Sequence, residues 1–184
     1  MFFLLSLLSF AQEFTYPKTV ENYHVNNSNI DFEFYFEKTI SKDSFYNEKS
    51  LLENFSTYSN LHNSFFRLDT TKNCGSDKLK IYVLSKESLN NRRLFPRWVS
   101  LNSSSDTNPE KTDLVGLFLY KENSSFIYLQ KVNENRELYF AHEISHYWYR
   151  KRCNNVYNHQ ENEMMAMEFE SKLIKYYIYG GCYE

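Results

Sequence analysis

"YFAHEISHYW", residues 139–148, is the stretch on which the reading of the fold turns. At about 100° per residue, Phe140, Ile144, Tyr147 and Trp148 gather on one side of a helix running through 134–151, which Asn133 or Asn135 can cap. His142 and His146 fall on the other side, one turn apart. Two imidazoles stacked in this way can reach one metal ion. Glu143 is rotated about 100° from His142, out of the ligand pair but beside an open coordination position, where a carboxylate can take a proton from a water that the metal acidifies. The chain has five histidines. By chance alone they fall into H-E-x-x-H in roughly one such sequence per hundred.

Downstream, "NHQENEMMAMEFESKLI" (158–174) reads as a second helix, with Asn158 and Glu161 as its capping box. Taken with it, "AHEISHYWY" (141–149) resembles the active-site helix of zincin metallopeptidases. The metzincin branch needs a glycine and a third histidine where this chain has Tyr149 and Arg152, so that branch is excluded. The gluzincin branch takes its third ligand from a glutamate in a pattern like E-x-x-A-[D/N]-x-F, and Glu163, Ala166 and Phe169 match it, seventeen residues beyond His146. The resemblance implies Zn2+ on His142, His146 and Glu163, with Glu143 as the general base and later the proton donor in hydrolysis of a peptide or protein substrate.

The chain departs from that pattern at Met167, where the family often places an Asp or Asn to orient a ligand histidine. Glu161 and His159 stay open as rival third ligands, and Tyr157 and His159 as stabilisers of the oxyanion. A second reading, from another class, is a non-catalytic zincin-like binding or structural domain in which zinc only clamps two helices. Retention of Glu143 speaks against it, since a structural site has no use for a base.

Working outward, "IDFEFYFE" (30–37) alternates with strand period, and "LKIYVLS" (79–85) is a second β-rich run. Between them, "NEKSLLENFSTYSNLHNSFF" (47–66) is helical, with Leu51, Leu52, Phe55, Tyr58 and Leu61 at helical spacing. "GLFLY" (116–120) and "SSFIYLQ" (124–130) read as a hairpin, and "NSSSDTNPEKTD" (102–113) as a loop. The expected fold is α+β and zincin-like. It has a small mixed sheet with an edge strand beside the active-site helix, followed by a second ligand-bearing helix. In the zincin plan that edge strand pairs with extended substrate, and "SSFIYLQ" holds its place in the order.

A chain of 184 residues, 42% of them hydrophobic, is enough for one core, so 13–184 is read as a single domain. Its net charge of -2 and the lack of a long basic run remove the electrostatic basis for nucleic-acid binding, and "NNRRLFPR" (90–97) is read as a solvated turn. "MFFLLSLLSFA" (1–11) is too short to span a bilayer, which takes about twenty residues. With Ser9 and Ala11 before Gln12 it reads as a secretory signal over 1–12, which implies export to the periplasm or medium. Cys74, Cys153 and Cys182 form no C-x-x-C pair. In an exported chain, Cys153 and Cys182 are the expected disulfide and Cys74 is left free.

Overall fold

The computed structural model describes residues 19–69, 71–90, 114–121, 124–153 and 159–179. The leader at 1–12, the arginines of the basic patch, the loop at 102–113, Tyr157, Asn158 and Cys182 lie outside them. In chain order the elements are β1 (Thr19–Val25), β2 (Ser28–Phe36), α1 (Glu48–Phe66), β3 (Lys78–Leu84), α2 (Lys86–Asn90), β4 (Gly116–Lys121), β5 (Ser124–Gln130), α3 (Arg136–Lys151) and α4 (His159–Ile178). The five strands form one mixed sheet in the order β1-β2-β3-β5-β4. The three inner strands are parallel, and β1 and β4 run antiparallel at the two edges. Among the described residues, no helix is long and apolar enough to cross a membrane.

The α+β class follows from two periodicities. In β2, residues 28, 30, 32, 34 and 36 are buried and those between them are more exposed, the period-two pattern of a pleated strand. In α1, the Asn47 side chain accepts a hydrogen bond from the Ser50 amide and so caps the first turn. The helix then buries Leu51, Leu52, Phe55, Tyr58, Ser59 and His62. His62 rather than Leu61 extends this inner face, and Leu61 packs at its margin. Phe55 meets Phe32 of the sheet edge-on at 4.9 Å and Tyr147 of α3 at 5.7 Å, so one aromatic side chain joins sheet and helices.

The opposite face of the sheet carries Tyr35, Tyr82 and Tyr128, side by side on β2, β3 and β5, with rings stacked at 4.4 and 4.9 Å. Leu89 of α2 packs with them.

Two expectations need correction. The edge strand beside α3 is β4, not "SSFIYLQ": β5 is hydrogen-bonded to β3 on one side and β4 on the other, which leaves it no open edge. The disulfide joins Cys74 to Cys153, not Cys153 to Cys182. The fold brings the loop before β3 against the end of α3, where the Cys74 amide donates to the Lys151 carbonyl at 2.9 Å. The Lys151 ammonium is fully buried there, donating to the Ser76 carbonyl and pairing with Asp77. Arg152 follows it inward, donating to the Lys72 carbonyl, so the end of α3 is tied down by side chains as well as by sulfur.

Candidate metal centre

α3 runs under the sheet with Phe140, Ile144, Tyr147 and Trp148 buried as the helical period requires. The Trp148 indole donates to Ser59 Oγ and Ser145 Oγ meets His62 Nε2, which fixes the rotation of α3 against α1. Asn135 precedes the first turn with left-handed backbone angles, and its side chain makes no capping bond. That rotation sends His142 and His146 toward α4.

α4 packs against α3 and α1 with Ala166, Phe169 and Leu173 fully buried, the Phe169 ring meeting His62, Phe65 and Phe66 of α1. Ala166 contributes almost no side-chain bulk at this contact. Glu163 then reaches both imidazoles: His142 Nε2 lies 3.3 Å from one carboxylate oxygen and His146 Nε2 lies 3.5 Å from the other. The two Nε2 atoms are 3.1 Å apart. A tetrahedral ion with bonds of about 2.0–2.1 Å sets its ligand atoms roughly 3.3 Å from one another. His142, His146 and Glu163 could therefore hold a metal ion at three corners. Among the rivals, Glu161 is exposed in the first turn of α4, outside this group, and the side chain of His159 lies outside the described residues.

Met167, at the position where an orienting residue was missed, is 59% exposed and points outward. The orienting contact comes from Glu170 instead, whose Oε1 lies 2.6 Å from His142 Nδ1. If Nδ1 donates its proton there, Nε2 is left with the lone pair that a metal needs. The sequence carried a signal for this: Glu170 lies seven residues after Glu163, two turns along the same face.

Charge in the site is unbalanced toward the acids. Burial works against a charge on His142, but hydrogen bonds with Glu163 and Glu170 and the nearby Glu143 outweigh it and hold its pKa up at about 10. Burial pushes the Glu143 carboxyl up to about 8; His142 opposes the shift, and Glu163 and Glu170 add to it. Three carboxyl groups around two imidazoles make a place that favours added positive charge.

Glu143 sits between α3 and β4. A β-carbon built on Gly116 would lie 2.4 Å from its Oε1, so only glycine lets the strand lie this close to the carboxyl. The strand continues along the helix in step. The Phe118 ring stacks on His146 at 6.2 Å, and the Arg150 guanidinium lies 4.3 Å over the Tyr120 ring. Alternate residues of β4 thus meet successive turns of α3.

In comparisons with known proteins, the chain matches no family model, no curated protein and no solved structure.

Proposed function

We propose that the chain is an exported zinc metallopeptidase of gluzincin type, hydrolysing peptide bonds in a peptide or protein substrate. One observation carries this reading: His142, His146 and Glu163 converge at tetrahedral spacing, with a buried carboxyl, Glu143, on the next helical step. Two imidazoles, one carboxylate and an open corner form the donor set of catalytic zinc sites. Zinc held there would supply a Lewis acid that polarises a carbonyl and acidifies water near neutral pH. With a cation in the site to hold its carboxyl ionised, Glu143 would take the proton that a water gives up as it attacks the scissile carbonyl, then pass it to the departing amine as the C–N bond breaks. Glu170 holds the His142 ring in the orientation that keeps Nε2 on the ligand side. β4, last in the sheet, offers edge amides and carbonyls to an extended substrate. The Cys74–Cys153 bond suits an oxidising compartment and supports export together with the apolar leader.

The test is metal analysis of the purified protein, a broad peptide library, and two substitutions. Glu143→Gln is expected to keep zinc and fold and to lower turnover by roughly 10²–10⁴-fold. Glu163→Ala is expected to weaken zinc binding at least about tenfold while Glu161→Ala leaves it intact. Undiminished turnover in Glu143→Gln overturns the mechanism. Zinc binding with no hydrolysis of any peptide leaves a metal clamp between α3 and α4.

A further inference from the structure

The face of α4 turned away from the core carries an apolar stripe. Met164, Met167, Ile174 and Ile178 are 60%, 59%, 40% and 67% exposed, while Ala166, Phe169 and Leu173 on the opposite face are fully buried. With Ser171 between them, the stripe advances in alternating steps of three and four residues, the spacing by which one helix seats against another. Large side chains gathered on one exposed strip mark an interaction surface.

The charges flanking the stripe select its occupant. Glu168 and Lys175 lie on one shoulder of the stripe, one heptad apart and opposite in sign. If a second α4 lies antiparallel along the stripe, the two-fold axis sets Glu168 of each copy against Lys175 of the other, two complementary pairs from one contact. Ser171 then lets the helices approach closely near the axis. A parallel arrangement would bring Glu163 of one copy toward Glu168 of the other, like against like, and so offset the one favourable pair it makes, Glu170 with Lys175. Glu168 is 3.5 Å from Lys172 within its own helix, and its carboxylate is half exposed, so it can be shared with Lys175 of a second copy.

We propose that the protein is a homodimer held by antiparallel packing of its two α4 helices along Met164, Met167, Ile174 and Ile178. The stripe borders the face of α4 that carries Glu163 and Glu170, but the contact does not use the chemistry assigned to them.

Sedimentation velocity on the full, metal-loaded chain tests this. The wild type is expected to dimerise with a Kd in about the micromolar range. Met167→Glu combined with Ile174→Glu is expected to sediment as a monomer with an unchanged circular dichroism spectrum. Because the altered side chains are solvent-exposed, folding should survive. Glu168→Lys and Lys175→Glu should each weaken the dimer about tenfold or more, and the double exchange should restore it. A wild-type monomer at all concentrations overturns the proposal. So does a dimer indifferent to these substitutions, or a monomer that instead binds phosphatidylcholine or phosphatidylserine vesicles through the stripe.

Discussion

Glu170 Oε1 lies 2.6 Å from His142 Nδ1, a carboxylate–imidazole contact made from the helix that also supplies Glu163. One helix thus provides both Glu163, the third residue of the group that could hold a metal ion, and the carboxylate that contacts His142. Removing Glu170 frees the ring without touching a donor to the metal. Glu170→Ala is expected to weaken zinc binding about 10–100-fold, measured by competition with a chromogenic chelator, and Glu170→Gln by less. Met167→Ala, at the position where the family pattern expects the orienting residue, should leave affinity unchanged. The opposite ranking would remove Glu170 from the site.

Gly116 decides how close β4 lies to Glu143. Gly116→Ala forces either the carboxyl or the strand to move, because the added carbon would lie 2.4 Å from Oε1. The overpacking should cost about 1–3 kcal/mol in urea denaturation. On the proposed mechanism, a shift of Glu143 by about 1 Å should lower kcat roughly a hundredfold, with zinc content kept at the wild-type level. Loss of zinc in step with activity would place the damage at the ligands instead.

How much was legible in the sequence varied with how local the signal was. H-E-x-x-H, the stripe of α3 and the alternation of β2 are written in nearest-neighbour periodicity, and the structure has them where that periodicity put them. β1 leaves no apolar alternation to read, because only Val25 is buried among its described side chains. Glu170 is legible on the face of Glu163, two turns on, but not as the partner of His142, because the family pattern directs attention to the fourth residue after the ligand. The place of β5 inside the sheet, the pairing of Cys74 and the close approach at Gly116 arise from contacts between distant segments. No local pattern encodes them.

The disulfide illustrates such a distant contact. Cys74 and Cys153 are 79 residues apart, and closing a loop of that size stabilises the fold by about 3–5 kcal/mol in the chain-entropy account. Cys74→Ser with Cys153→Ser should lower the thermal midpoint, whereas Cys182→Ser should leave both the midpoint and the bond unchanged. Peptide mapping of the unreduced protein identifies the pair directly. Recovery of a Cys153–Cys182 peptide would reverse the assignment.

His62 provides the pH test. Burial against Phe66, Tyr149 and Phe169 pushes its pKa down to about 3, so the imidazole stays neutral with Nε2 3.0 Å from Ser145 Oγ. In the unfolded chain it titrates near its ordinary value of about 6.5. The folded value is the lower one, so the unfolded state binds more protons throughout that window, and acid favours unfolding. The contribution of His62 to stability is whole above about pH 6.5 and declines as the pH falls toward about 3, by at most roughly 1.4 kcal/mol per pH unit. Loss of metal in acid would destabilise the protein in the same direction, which is why the wild type alone is not the test. His62→Gln can still hydrogen-bond Ser145 and has no proton to gain, and it shares the same metal ligands. Denaturant midpoints of the two proteins, taken between pH 7 and pH 4, should converge as the pH falls. Parallel curves would mean that His62 is not the neutral group that α1 and α3 enclose.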